Sequence, residues 1–298
     1  MIDSNFLENL KNLNFLARKK VSTIYMGTRR SIMQGRGLEI FDHREYFPGD
    51  DFRTIDWKLY GRTEKLFIRR FEEEKNLILH ILIDSSKSMD FSLGGKMRKF
   101  DYAESIAAGF AYLAMTKYEK FSTALYANKV REVTPARKGK LHFFRILELL
   151  NNLEPEGESN LKDCMEQYTN LIKAKSFIVI LSDFLEDIQS IEEGLYRVAK
   201  HSREAIAIQI LDPSEINLRW TEDVNFEDLE TSESEITYIS PGFKKEYTRR
   251  IKEHIFKIQK ICDEVGIDFF SVTTDIPLFD SFLNILRIDK FEKKEIIG

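Results

Sequence analysis

Cysteine is nearly missing from this chain: Cys164 and Cys262 are the two among 298 residues, far apart and in no CxxC pair. That argues against a Cys-based zinc site, and it fits a reducing compartment. Histidine is sparse too, with His43, His80, His142, His201 and His254 scattered and no HExxH among them. Gly-x-Ser-x-Gly and Walker loops are also absent, which removes the commonest hydrolase and nucleotidase signatures. No apolar run approaches the roughly 18 residues needed to span a bilayer. The N-terminus, with Asp3 and Glu8, lacks a basic-then-apolar leader. The expectation is a cytoplasmic chain with no membrane span, a membrane partner being left open. A strong net charge is missing as well: the formal value is −4, which argues against general nucleic-acid binding. No internal repeat or low-complexity tract is found. One stretch lacks acids altogether. Between Leu10 and Leu38 there is no Asp or Glu, while Lys11, Arg18, Lys19, Lys20, Arg29, Arg30 and Arg36 are basic. That stretch is either a solvated face or a contact for an anionic surface such as RNA, lipid or an acidic protein.

What is present is an ordinary globular balance, 43% hydrophobic and 32% charged. The chain is organised around Leu77-Ile78-Leu79-His80-Ile81-Leu82-Ile83-Asp84-Ser85-Ser86-Lys87-Ser88-Met89. A short, nearly continuous Ile/Leu run reads as a strand buried on both faces, the kind found in parallel sheets covered by helices. His80 within it reads as a core residue rather than a base. In such sheets ligands lie beyond the carboxyl ends of the strands, where Asp84, Ser86 and Ser88 fall.

Around this strand the pattern alternates. A helix is expected over 4–20, and a strand at 67–71. An Ala-rich helix follows at 99–116, with Tyr102, Ile106, Phe110 and Leu113 on one stripe. Then come strands at 121–126 and 130–133, a helix at about 141–152 with Phe144, Leu147 and Leu150 inward, and a helix over 161–172. Further strands are read at 176–181, 205–211 and 267–272, with helices at about 187–200, 242–264 and 277–287. The polar piece 213–240 reads as a hairpin-like insertion. Strand–helix alternation with short loops means a parallel α/β sheet. Residues 1–76 read as an N-terminal extension and 77–298 as the main domain.

The extension carries a dense block, His43-Arg44-Glu45-Tyr46-Phe47-Pro48-Gly49-Asp50-Asp51-Phe52-Arg53-Thr54-Ile55-Asp56-Trp57-Lys58. Pro48-Gly49 suits the centre of a type II turn. Arg44, Glu45, Asp50, Asp51, Arg53, Asp56 and Trp57 form either an ion-pair network docking the extension onto the main domain, or a recognition surface or gate near Asp84.

Two buried strands end in acids, Asp84 and Asp183. Ser86 and Ser88 follow the first, and a third loop offers Ser159. Two carboxylates and three hydroxyls, with no imidazole or thiolate, suit a hard divalent cation, Mg²⁺ above all, with Mn²⁺ or Ca²⁺ as substitutes. Uncharged hydroxyls leave such an ion under-neutralised and ready for a carboxylate from a partner. Alternatively, Asp84 could accept a phosphoryl group in an Mg²⁺-dependent transfer. Ser86 stands where such enzymes need a second Asp as general acid, so the residues point away from catalysis.

Asp84-x-Ser86-x-Ser88, Ser159 and Asp183 resemble the metal-ion-dependent adhesion site of the von Willebrand factor A-type fold. The second motif of that site usually carries Thr. Ser159, in Gly157-Glu158-Ser159-Asn160-Leu161, keeps the hydroxyl. A narrower resemblance joins Gly37-Leu38-Glu39, Arg44-Glu45-Tyr46, Pro48-Gly49-Asp50-Asp51, Arg53 and Ile55-Asp56-Trp57 to Asp84-Ser85-Ser86-Lys87-Ser88-Met89 and Leu211-Asp212-Pro213-Ser214-Glu215. This is similar to the bacterial family called domain of unknown function 58, in its type without N-terminal membrane helices. The resemblance implies a three-layer Rossmann-like sheet and a chaperone-like protein-interaction role. It also implies a MoxR-type AAA+ ATPase or its client as partner, in assembly, maturation, regulation or metal insertion for another protein.

Overall fold

The computed structural model describes residues 32–33, 39–72, 78–172, 176–218, 223–227, 234–238 and 240–286. The helix expected at 4–20 lies outside the described residues, as does the basic stretch 11–36 apart from Ile32 and Met33. The chain divides into two compact units, one within Val21–Asn76 and one that holds everything described from Ile78 onward.

The smaller unit is a three-stranded antiparallel sheet, order β1-β3-β2, with β1 at Ile32–Met33, β2 at Glu39–Glu45 and β3 at Phe67–Glu72. Its connection is built by its own acids. Gly49 has φ 110°, and Asp50 N donates to Phe47 O at 3.1 Å, so Pro48-Gly49 turns the chain as their types demand. Asp51 caps a single 3₁₀ turn, Phe52–Thr54, by accepting from Arg53 N. Asp56 caps helix α1 (Trp57–Thr63) by accepting from Lys58 N and Leu59 N. Ile55 and Ile68 are buried opposite one another.

The larger unit is built on a six-stranded sheet in the order β11-β8-β7-β4-β5-β6. The strands are β4 (Ile78–Asp84), β5 (Lys120–Tyr126), β6 (Val130–Val133), β7 (Ser176–Ser182), β8 (Ser202–Leu211) and β11 (Asp268–Thr273). Every pairing is parallel except β5 with β6. This is a three-layer, Rossmann-like arrangement, parallel except at one edge strand. The helices are α2 (Lys99–Thr116), α3 (Lys140–Asn151), α4 (Leu161–Thr169), α5 (Ile188–His201), the single turn α6 (Pro213–Ile216), α7 (Pro241–Val265) and α8 (Leu278–Ile285). The insertion is an antiparallel hairpin of β9 (Asp223–Glu227) and β10 (Ser234–Tyr238).

Strand period decides the layers. Leu82, Ile178, Ile180 and Ala207 join α4, α5 and α7 side chains such as Leu161, Leu195 and Ile258 in one buried cluster. The alternate residues Ile81, Ile83, Val179 and Ile208 are equally buried, because the sheet is covered on both faces. Helix α2 is buried almost all round, including Lys99 and Glu104. In α3 the inward face differs from the sequence expectation: Phe143, Ile146 and Leu150 are buried, while Phe144 is 61% exposed. The helix is rotated so that His142 also turns inward, where its Nε2 meets Phe121 O at 2.9 Å.

Strand order also locates the site. The chain leaves β4 for β5 on one side and returns later to place β7 on the other. That reversal falls at the carboxyl end of β4, beside β7, the usual ligand position in open α/β sheets.

Candidate functional site

Asp84 ends β4 and is fully buried, as is Ser86. Its Oδ1 accepts from Ser86 N at 2.9 Å, an Asx turn that bends the chain out of the strand and aims the next hydroxyls back over the sheet edge. Ser86 Oγ lies 3.0 Å from Ser88 Oγ. Two backbone bonds fix the loop carrying Ser159 against this turn: Lys87 N to Gly157 O at 2.8 Å and Glu156 N to Ser85 O at 2.9 Å. Gly157 has φ 80°, a backbone region glycine adopts without strain. Ser159 Oγ then donates to Asp84 Oδ2 at 3.0 Å, while Asn160 caps α4.

From β7, Ser182 Oγ donates to the same Asp84 Oδ2 at 2.7 Å. The next residue, Asp183, is also buried. Its Oδ1 accepts from Leu185 N at 3.2 Å, and its backbone carbonyl accepts from Gln209 Nε2 at 2.9 Å. Its Oδ2 accepts from Lys99 Nζ at 2.7 Å, and that ammonium also donates to Glu215 Oε1 at 2.6 Å. Glu186 completes the surroundings. Both its carboxylate oxygens accept from Leu161 N at 3.1 Å, and Ser190 Oγ donates to it at 2.8 Å.

The structure therefore brings Asp84, Ser86, Ser88 and Ser159 into one hydrogen-bonded cluster and sets Asp183 beside it, bound to Lys99. Charge is unevenly supplied. Of four buried or half-buried carboxyls, Asp84, Asp183, Glu186 and Glu215, two, Asp183 and Glu215, ion-pair directly with the Lys99 ammonium. Burial, followed by the charge of Asp183, pushes Asp84 up to about 6, against the bonds from Ser182 and Ser86. Burial pushes Glu186 up to about 7, with Asp84 and Asp183 adding to it and Ser190 and Leu161 N opposing. For Lys99, burial pulls downward, yet Asp183 and Glu215 overcome it and hold the ammonium charged.

Chemically the cluster is an oxygen-only donor set with surplus negative charge, which suits a hard cation. Among the described residues no three His, Cys, Asp or Glu side chains are arranged as a metal site, so a cation here must draw on the serine hydroxyls. Asp84, Ser86, Ser88 and Ser159 meet that requirement; Asp183 is already occupied by Lys99 on one oxygen.

Residues 42–256 match the model of the family described as "Protein of unknown function DUF58". The chain belongs to that family. Two relatives, Uncharacterized protein Rv1480 of Mycobacterium tuberculosis and Uncharacterized protein Mb1516 of Mycobacterium bovis, are each 25% identical to it over 276 residues. The match covers 92% of this chain and 86% of theirs. Among solved structures, BatB from Bacteroides thetaiotaomicron is similar at a TM-score of 0.47 and 12% identity, covering 74% of this chain and 98% of that one. An aerotolerance-related membrane protein from Bacteroides fragilis gives 0.49 and 10%, covering 74% and 98%. The SpRpn10 VWA domain gives 0.44 and 11%, covering 70% and 94%. No helix among the described residues is long and apolar enough to cross a membrane.

The DUF58 match includes both the 44–57 block and the cluster. Within the block most charges have local partners. Arg44 pairs with Asp50 at 2.8 Å, and His43 with Asp56 at 2.9 Å. Glu45 comes only within 3.9 Å of Lys65. Arg53 and Trp57 are exposed, Trp57 by 61%. Arg44, Asp50, Asp51 and Asp56 thus fold the smaller unit.

Sequence reasoning missed Ser182, Glu186, Lys99 and Glu215. Nothing local marks Lys99, whose helix also carries Asp101 and Glu104 in its first turns; only once the structure buries its ammonium are carboxylate partners required. The Leu211-Asp212-Pro213-Ser214-Glu215 run held one clue. Asp212 and Glu215 form a capping box, which aims the free oxygen of Glu215 at Lys99.

Proposed function

We propose that this DUF58 chain is a metal-dependent protein-interaction module, in which Asp84, Ser86, Ser88 and Ser159 hold Mg²⁺ directly or through water. Asp183 contributes charge beside them. The observation that carries the reading is the convergence of one buried carboxylate and three hydroxyls at the carboxyl end of the central strand, at the point where the strand order reverses. A bound divalent cation would supply an electrophilic position for an incoming carboxylate. The residues of the chain do the rest: Ser182 and Ser159 fix Asp84, Gly157 seats the Ser159 loop, and Glu186 ties that loop to the start of α4. The partner then offers an Asp or Glu, and a MoxR-type AAA+ ATPase or its client is the partner that family membership favours. Neutral hydroxyl donors suit this purpose, because they leave charge on the ion for the partner to satisfy.

The test is isothermal titration of Mg²⁺ and of Mn²⁺ into the full chain and into Asp84→Asn, which keeps the size and one acceptor of the buried side chain. The wild type is expected to bind one ion and the variant to bind none. A second arm asks whether a MoxR-type ATPase is retained in Mg²⁺ and released by EDTA. Equal heats for wild type and Asp84→Asn would overturn the assignment.

A further inference from the structure

Lys99 is the first residue of α2, at the end of a helix that repels positive charge. Its side chain is 1% exposed. A position so unfavourable for a lysine persists only where its charge is used. Its Nζ bridges Asp183 Oδ2 at 2.7 Å and Glu215 Oε1 at 2.6 Å, and lies 5.8 Å from the centroid of the Phe91 ring. The bridge is held from outside the site as well. Glu215 uses its second oxygen, Oε2, to accept from Asp212 N at 2.7 Å. Asp183 has its other oxygen on Leu185 N and its carbonyl on Gln209. Neither carboxylate is free to swing away without breaking a backbone contact.

Resting on the reading of the site as a divalent-cation site, we propose that Lys99 is its resident counter-cation. It keeps Asp183 out of the ion's inner ligand shell and so sets how tightly the site holds metal. Asp183 has one oxygen on the ammonium and the other on Leu185 N, while its charge still reaches Asp84. With Lys99 in place, a divalent ion gains the charge of Asp183 only at a distance and feels the repulsion of the ammonium. Glu215 moderates that repulsion by neutralising Lys99 from the far side. The site is thereby tuned to hold its ion weakly on its own and firmly only when a partner carboxylate joins, and the tuning residues, Lys99 and Glu215, are never ligands.

The experiment is calorimetric titration of Mg²⁺ into the full chain, comparing wild type, Lys99→Met, Lys99→Met/Asp183→Asn and Glu215→Gln, with circular dichroism establishing that each is folded. Removing one positive charge and freeing a carboxylate should tighten Mg²⁺ binding by roughly tenfold or more in Lys99→Met, and adding Asp183→Asn should abolish the gain. Glu215→Gln should weaken binding by about threefold, because the ammonium charge is then less neutralised. This variant decides the matter if Lys99→Met does not fold: unchanged or tighter binding by it overturns the proposal. Wild-type binding that Lys99→Met leaves unchanged or weakens overturns the role of Lys99 while the metal site stands. No binding by any of the proteins overturns both. Binding by Lys99→Met alone supports Lys99 as the resident cation and overturns metal dependence in the wild type.

Discussion

Replacing Asp212 by alanine should destabilise the larger unit more than any single change at the rim of its sheet. Asp212 is buried at the end of β8. Its carboxylate accepts from three successive backbone amides, Leu93 N at 3.1 Å, Gly94 N at 2.8 Å and Gly95 N at 2.9 Å. It also accepts from Ser214 N at 2.8 Å and Ser214 Oγ at 2.6 Å. The two Ser214 donors are buried, so losing the acceptor leaves them unsatisfied at about 1–1.5 kcal/mol each. The three loop amides are partly open to water, which replaces the carboxylate at a cost nearer ~0.5–1 kcal/mol each. The total is about 3.5–6 kcal/mol, reaching the exceptional end for one substitution. Urea unfolding followed by circular dichroism would read this as a midpoint lower by roughly 2–3 M, taking a slope of about 2 kcal/mol per molar. The pH dependence supplies a second check. Burial raises the Asp212 carboxyl, but the bonds from Ser214, Leu93 N and Gly94 N outweigh it and hold the group below its usual range. A carboxyl depressed in the folded state stabilises above its unfolded pKa and loses that contribution as pH falls through its folded value. The gap between wild type and Asp212→Ala should therefore narrow in strong acid. A loss below about 1 kcal/mol at neutral pH would refute the hydrogen-bond account.

Two further changes probe the same unit. A Cβ on Gly95 would sit 1.9 Å from Thr274 Oγ1 and 2.8 Å from Thr274 Cβ. Gly95→Ala should thus cost about 1–3 kcal/mol by overpacking. The double variant Gly95→Ala/Thr274→Ala should recover part of this in thermal melts, and an equal loss in both would reject the clash. Burial of His80 in β4 pushes its imidazole down to about 4 from 6.5. The unfolded chain therefore takes up the proton first, and stability should drain away as pH falls from 6.5 toward 4, by up to ~3 kcal/mol from this one group. His80→Gln should flatten that part of the stability profile, and parallel profiles would remove His80 as the cause.

Spacing and residue type were enough to mark the strands of the main sheet and their carboxyl ends, though not β1 and β2 of the smaller unit. The Ile/Leu run at 77–83, interrupted by His80 alone, and the apolar run Phe177–Leu181 have few other uses than a sheet covered on both faces, and side chains just past such strands have to lie at one rim. The rim positions of Asp84, Ser86, Ser88 and Asp183 were legible for that reason, whereas Ser159, on the loop between α3 and α4, was marked by its resemblance to the adhesion-site motif; the Pro48-Gly49 turn was legible because its geometry depends on two adjacent residue types. The tertiary structure alone decided which charges meet. Lys99 is 84 residues from Asp183 and 116 from Glu215, and no local pattern encodes a pairing between the head of a helix and two distant strand ends. Ser182 was hidden at the end of a strand whose register with β4 brings its hydroxyl to Asp84. The inward face of α3 was misread by one residue because Phe143 and Phe144 are equally apolar, so hydrophobicity offers no choice of rotation; only packing against Tyr112 selects Phe143. A helix or strand is a short-range consequence of spacing and side-chain type. A buried ion pair is a contact between elements that only the completed sheet brings within 3 Å, and its charge can be sustained there because the same folding that removes water also delivers the partner.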